Sequence, residues 1–160
     1  MKLIFLDIDG VLATEECSQK PHHKIFAYPF DAECVSVLND ILRETNAEII
    51  LSSDWRLMYN NDLTILDELF KHNGVIKSPI DVTPSLRKGQ YQRQAEIQNY
   101  INSNTEKIKS FVILDDALIT IFPENFVKCN LTEGVKEKGL QERVVEILSK
   151  PPYMIHHSLH

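Results

Sequence analysis

The sequence predicts a three-layer α/β/α fold around a parallel sheet, in one domain that spans residues 1–150. Apolar runs of strand length alternate with amphipathic helical patterns, as expected when helices cross over between parallel strands. The 160 residues are enough for one domain, and hydrophobic and charged contents of 43% and 25% are those of an ordinary globular protein. No internal repeat or linker divides the chain.

The elements alternate between strands and helices along the chain. Strands are expected at residues 2–8, 47–53, 110–116 and 125–130, with a shorter extended segment within 74–84. Helices with one apolar face are expected at residues 31–45, 61–74, 91–103 and 140–150. Gly74 is expected to cap the second helix. Residues 151–160 are expected to form a flexible tail.

Three of the predicted strands end in polar residues, namely Asp7 with Asp9, Ser52 with Ser53, and Asp115 with Asp116. Ligands of open α/β sheets bind at the carboxyl ends of the strands, so parallel neighbouring strands would bring these side chains together. Four acids at one edge repel one another unless a cation is present. Oxygen ligands without a matching His or Cys spacing suit Mg²⁺, which commonly shares phosphate oxygens of a substrate. The pattern therefore predicts a magnesium site for a phosphoryl group.

The acids are also compatible with other kinds of site. A calcium loop would need an oxygen ligand near Val11 and a glutamate where Ser18 stands, which disfavours it. The first two acids alone are also compatible with an acidic turn that has no chemistry. Asp115 or Asp116 alone is compatible with capping a helix that would follow at residues 117–122.

The motifs at the strand ends resemble those of the haloacid dehalogenase (HAD) superfamily, whose members are mostly phosphohydrolases with a Rossmann-like fold. "DIDGV" is similar to the first motif, "IILSS" to the second and "VILDD" to the acidic fourth, in the order of that family. The resemblance implies that Asp7 is the nucleophile and a metal ligand. It implies that Asp9 is the general acid and base, with its backbone carbonyl on the metal.

The same resemblance assigns the remaining strand ends. Ser52 would donate a hydrogen bond to the phosphoryl group, with Ser53 as the alternative. Asp116 would be the main metal ligand of the fourth motif, and Asp115 its neighbour on the metal or its supporting partner. An aspartate at position 9 favours phosphatase or phosphotransferase chemistry, because the dehalogenase and transport-ATPase branches of the family lack it.

The third motif of the family is a lysine or arginine near the start of the helix that leads into the fourth-motif strand. Lys88 has the usual identity and a following glycine, whereas Arg93 belongs to an "RxxEI" pattern similar to small HAD domains associated with RNA and DNA end repair. "SSDWR" also resembles that branch. We favour Lys88 slightly and keep Arg93 beside it.

Three residues near the motifs are expected to contact the substrate. Gly10 follows the two acids of the first motif. Trp55 is expected either to stack on a substrate ring or to pack in the core. Arg56 is expected either to grip a phosphate or to brace the nearby acids.

The segments between the motifs hold single helices and loops, which leaves room for a small flap after the first strand and for no large cap domain. Such an open site suits phosphate on a large substrate, such as a nucleic-acid end or a protein, although small phosphate esters remain an alternative. A net charge of −6 argues weakly against nucleic acid. Three widely spaced cysteines and the lack of a long apolar run predict a cytoplasmic protein that does not span a membrane.

Three functions are therefore compatible with the sequence. The first is a Mg²⁺-dependent phosphomonoester hydrolase that works through an aspartyl-phosphate. The second is a phosphatase of polynucleotide 3′ or 5′ ends. The third is a HAD-fold binding or regulatory module without turnover. The sequence does not predict the oligomeric state.

Overall fold

The computed structural model describes residues 1–24, 26–86 and 92–150. Its strands are β1 (Lys2–Leu6), β2 (Glu48–Leu51), β3 (Asp81–Val82), β4 (Ser110–Asp115) and β5 (Phe126–Lys128). Its helices are α1 (Ala32–Thr45), α2 (Trp55–Met58), α3 (Leu63–His72), α4 (Gln92–Asn104) and α5 (Leu140–Leu148). Short 3-10 turns occur at Cys17–Gln19, Thr105–Lys107, Pro123–Asn125 and Gly134–Lys136. The predicted α/β fold is confirmed.

The five strands form one parallel sheet in the order β3-β2-β1-β4-β5. Leu6, the last residue of β1, lies opposite Leu51 of β2 and Leu114 of β4. All carboxyl ends therefore lie at one edge of the sheet. The strand order reverses between β1 and β4, and such a switch point opens the crevice in which α/β proteins bind ligands.

An apolar layer covers each face of the sheet, and β1 is therefore buried on both of its faces. Ile4 and Leu6 pack in the larger core with α1, α3 and α5. Leu3 and Phe5 point the other way, into a core with α4 and the connection between β4 and β5. By the same alternation, Asp7 lies on the face that α4 covers.

The described residues between β1 and α1 form turns and one 3-10 turn, so a small flap stands where a large cap would be inserted. None of the helices in the described ranges combines the length and the hydropathy that crossing a bilayer requires. The expected tail at 151–160 lies outside the described residues.

Some local predictions differ from the structure. The alternative that Asp115 or Asp116 caps a following helix is wrong, because residues 117–122 form bends and loop. Asp115 Oδ1 accepts a hydrogen bond from Ala117 N (2.9 Å) in a turn. Gly74, in contrast, ends α3 as predicted: it follows Asn73 in the left-handed conformation (φ 80°), its N donates to Lys71 O, and Val75 N donates to Phe70 O, both at 3.0 Å. The four-residue helix α2 was not predicted, since it is too short for a periodic pattern.

Candidate active site

The backbone ladder of the sheet places the first, second and fourth motifs side by side. Asp7 N donates to Leu114 O at 3.0 Å, and Ser52 N donates to Leu6 O at 3.0 Å. Asp115 is the last residue of β4, and Asp116 follows it. The three strand ends therefore meet at the switch point between β1 and β4, where the sequence predicts them.

Asp7, Asp115 and Asp116 form an acid cluster. One carboxylate oxygen from each lies within 4.8 Å of the other two. Asp7 and Asp115 are buried, and Asp116 is half-buried. Burial and the charge of Asp115 raise the pKa of Asp7 above its ordinary value, and they raise the pKa of Asp116 as well. The cluster therefore holds negative charge that a cation would stabilise.

Arg93, in the first turn of α4, is the described cation that contacts this cluster. Its Nη1 lies 2.7 Å from Asp115 Oδ2 and 3.3 Å from Asp7 Oδ2, and its Nη2 lies 3.6 Å from Asp54 Oδ1. Burial alone would lower the pKa of Arg93, but the charges of Asp7 and Asp115 raise it above its ordinary value. The structure thus brings Arg93 to the site, whereas Lys88 lies outside the described residues.

Gly10 makes room for Asp116. A Cβ atom at position 10 would lie 2.5 Å from Asp116 Cβ and 2.6 Å from Asp116 Cγ, and the φ of 78° is one that side chains rarely adopt. Gly10 therefore shapes the acid cluster through its backbone. Its expected contact with substrate stays a prediction.

Asp9 is held outside the acid cluster by two aromatic side chains. The Tyr28 hydroxyl donates to Asp9 Oδ1, and Trp55 Nε1 donates to Asp9 Oδ2 at 3.0 Å. Trp55 is 3% exposed and packs edge-on against Tyr28 and Phe30. Tyr28 comes from the flap, so this segment orients a carboxylate of the first motif.

The two serines of the second motif differ in their contacts. Ser53 Oγ accepts a hydrogen bond from Trp55 N at 3.2 Å. Ser52 Oγ is completely buried, and no group in the described ranges forms a hydrogen bond with it. Buried hydroxyls are normally hydrogen-bonded, so an unpaired one next to Asp7 favours Ser52 as a donor to a bound ligand.

A comparison with protein families decides which branch this site belongs to. The model of the family described as "HAD domain in Swiss Army Knife RNA repair proteins" matches residues 3–140. The chain belongs to this family. The match confirms the HAD resemblance and the association with RNA repair. No curated protein and no solved structure matches the chain.

The acid cluster of this HAD domain fits a hard divalent cation. Its three members offer only oxygen and lie close enough together to ligate one ion. Asp7, Asp115 and Asp116 are the residues that would hold Mg²⁺. The expected contact through the backbone carbonyl of Asp9 stays a prediction.

Arg56 is buried and contacts several of the segments that form the HAD site. Its side chain has no exposed surface, and its Nη2 lies 2.8 Å from Glu96 Oε2 on α4. The other N–H groups donate to backbone carbonyls, namely those of Ser52 (3.1 Å), Ser53 (2.9 Å), Thr83 (3.1 Å) and Pro84 (3.4 Å). Since the five N–H groups of the guanidinium all have partners, we propose bracing and not phosphate binding as the role of Arg56.

Sequence reasoning missed Tyr28 and Glu96. Tyr28 lies in a loop without periodicity. The signal in the sequence is an aromatic residue within the segment "PHHKIFAYPF", which is rich in proline and histidine. Glu96 belongs to the "RxxEI" pattern, which was noted for Arg93 alone. Glu96 is buried on α4 (5% exposed) and its charge therefore requires a partner, but that burial follows from the fold and is not visible in the sequence.

Proposed function

We propose that this protein is a phosphomonoester hydrolase that works through an aspartyl-phosphate on Asp7. The observation that carries the proposal is the arrangement around Asp7 at the switch point: two further acids, Arg93, and the hydroxyl of Ser52, which has no hydrogen-bond partner among the described residues. A phosphoryl group needs a nucleophile, a hydrogen-bond donor and positive charge, and this edge of the sheet supplies all three.

In the first step, a carboxylate oxygen of Asp7 attacks phosphorus and the bond from phosphorus to the ester oxygen breaks. Asp9, in its carboxylic acid form, gives its proton to the departing oxygen, which leaves as an alcohol. Arg93 orients Asp7 and balances negative charge, while Ser52 Oγ donates to the phosphoryl group. Mg²⁺ bound by the acid cluster would neutralise charge on the phosphoryl oxygens.

In the second step, water attacks the phosphorus of the aspartyl-phosphate. The carboxylate of Asp9 takes a proton from this water, and the bond between phosphorus and the Asp7 oxygen breaks. Inorganic phosphate leaves, and both aspartates return to their starting states. Asp9 thus serves first as acid and then as base, which requires that its carboxylate be held in a fixed position.

Metal removal tests the role of the acid cluster. We expect EDTA to abolish hydrolysis of an aryl phosphate and excess Mg²⁺ to restore it. We also expect Mg²⁺ to raise the melting temperature of the protein, because binding to the folded state alone stabilises it. Asp116→Asn should lose both effects, whereas Asp40→Asn, on the exposed side of α1, should keep them. Full activity in EDTA would contradict the proposal.

The contact between Trp55 and Asp9 predicts a dependence on the leaving group. Trp55→Phe removes the donor to Asp9 Oδ2 and should misplace the acid. We expect kcat to fall about tenfold for an alkyl phosphate, because its leaving oxygen needs a proton. For an aryl phosphate, whose leaving oxygen needs none, kcat should change little.

The control for this prediction is Tyr59→Phe, which removes a hydroxyl that contacts the flap at Ala27 N (3.4 Å) but not Asp9. It should leave both rates unchanged. If Trp55→Phe lowers kcat equally for alkyl and aryl phosphates, Trp55 acts on folding and not on Asp9.

The substrate class that we propose is a phosphorylated end of a nucleic acid. Family membership and the "SSDWR" segment favour it, and the small flap leaves the site open to a large substrate. Release of phosphate from 3′- or 5′-phosphorylated oligonucleotides is the direct test. Hydrolysis of small esters alone would remove this substrate class. Metal binding without any turnover would favour the alternative of a catalytically silent HAD-fold module.

A further inference from the structure

A polar groove with a volume of about 690 Å³ lies beside the acid cluster. Most of its lining is polar, with one apolar residue and two acids, and consists of Asp54, Leu57, Asn60, Asn61, Ser85, Gln92 and Glu96. The groove meets the site at two points. Asp54 lies 3.6 Å from Arg93 Nη2, and Gln92 directly precedes Arg93 on α4. Because Arg93 contacts both Asp7 (3.3 Å) and Asp54, one side chain links the acid cluster to the lining of the groove.

The chemistry of the groove is polar but lacks free positive charge in the part that the structure describes. Asn, Gln and Ser side chains both donate and accept hydrogen bonds. The nearby guanidinium groups of Arg56 and Arg93 are already in ion pairs with acids. The carboxylate of Asp54, at the mouth, is 78% exposed and repels further phosphates. In its described part, the groove therefore offers hydrogen-bond partners for base edges and sugar hydroxyls and no unpaired cation for a further phosphate.

The two asparagines lie in a tight turn after α2. Their φ angles are 53° and 56°, and two successive residues other than glycine in this conformation are uncommon. Asn61 N donates to Arg56 O at 2.7 Å, and Asn60 N donates to Leu57 O at 3.2 Å. The turn is thus fixed to the buried Arg56, which also holds the second motif. This link sets the groove at a constant position relative to Asp7.

We propose that this groove binds the terminal nucleoside of a phosphorylated nucleic-acid end through uncharged hydrogen bonds to its base and sugar. The inference rests on the proposed function and adds the part of the substrate that is recognised. The volume lies in the range of about 300–1,000 Å³ that is typical of sites for small molecules. Because recognition involves one nucleoside, affinity should depend little on strand length or on salt, unlike binding through many phosphates.

The test compares substrates in the variant Asn60→Gly/Asn61→Gly. Glycine tolerates positive φ, so this change removes the amide groups and keeps the turn. We expect KM for a phosphorylated dinucleotide to rise about tenfold, as expected for the loss of one or two hydrogen bonds. The rate for an aryl phosphate, which lacks a nucleoside, should not change. Substrates phosphorylated at the 3′ or the 5′ end show which end the groove accepts.

The matched control is Asn46→Gly. Asn46 also has positive φ (54°), but it ends α1 at the opposite edge of the sheet, beside Met1 and Lys2. This variant should retain the KM of the unmodified protein for every substrate. Any rise in KM comparable to that of the groove variant would overturn the assignment.

Three results would contradict the proposal: a KM that falls steeply with strand length and rises steeply with salt, a phosphopeptide that is hydrolysed better than nucleotides, or an unchanged KM in the groove variant. If the protein turns over no phosphate ester at all, the proposed function fails, but binding of a nucleoside in the groove can still be measured. Calorimetry with a nucleoside monophosphate should then show binding that the groove variant loses. Absence of binding would overturn the inference itself.

Discussion

Asp7→Asn should lower kcat for every phosphate ester by at least about 10⁴-fold, the scale on which loss of a nucleophile acts. The reason is chemical, because a carboxamide cannot attack phosphorus to form an acyl phosphate. Its neighbours Arg93 and Asp115 would remain in place, since asparagine has nearly the same volume. Steady-state kinetics with an aryl phosphate measures the loss, and a thermal melt checks that the variant is folded.

Asp9→Asn provides the contrast that separates the two roles. It should still form the aspartyl-phosphate from an aryl phosphate, whose leaving group needs no proton, and should hydrolyse it slowly. Rapid quenching after mixing with an aryl phosphate that carries a radiolabelled phosphoryl group should therefore trap label on protein in Asp9→Asn and none in Asp7→Asn. Activity of Asp7→Asn within about tenfold of the unmodified protein would exclude Asp7 as the nucleophile.

The parts of the site that the sequence predicted are those that local patterns encode. An apolar strand that ends in Asp7, and another that ends in Asp115 and Asp116, can be recognised without knowledge of the fold. The sheet order then brings them together, because β1 lies between β2 and β4. The parallel sheet was predictable because strand and helix periodicities differ, and the small flap because the segments between the motifs are short.

The parts that were not predictable depend on contacts between distant segments. Whether Lys88 or Arg93 reaches Asp7 depends on where α4 begins, and helix starts are poorly marked in a stretch without a capping residue. The role of Tyr28 depends on how a loop folds back over Asp9. The environment of Arg56 is set by partners on three other segments, so its sequence neighbours carried no sign that its guanidinium would be buried.

Arg56→Met should lower the free energy of unfolding by about 3–5 kcal/mol, the usual cost of breaking a buried ion pair. Methionine fills similar space but leaves Glu96 buried without a partner charge. The backbone carbonyls that the guanidinium satisfies would lose their donors too. A domain of this size has about 5–15 kcal/mol of stability, so the variant should be marginal in urea denaturation.

A second substitution separates two contributions to the lost stability: the unpaired charge of Glu96 and the lost hydrogen bonds to backbone carbonyls. Adding Glu96→Met to Arg56→Met removes the uncompensated charge and should restore part of the lost stability. Lys71→Met is the control, because it breaks an ion pair with Asp67 that is largely exposed and should barely move the midpoint. Full recovery in the double variant would mean that the carbonyl contacts contribute nothing.

The recovery should be partial, because Arg56 joins three elements behind the site. Ser52 and Ser53 follow β2, Thr83 follows β3, and Glu96 belongs to the helix that carries Arg93. A methionine pair can fill the space but cannot hold these strand ends at fixed distances. We therefore expect the double variant to fold and still to show a lower kcat, with KM for an aryl phosphate changed less. That outcome would show that the buried arginine positions the second motif in addition to stabilising the domain.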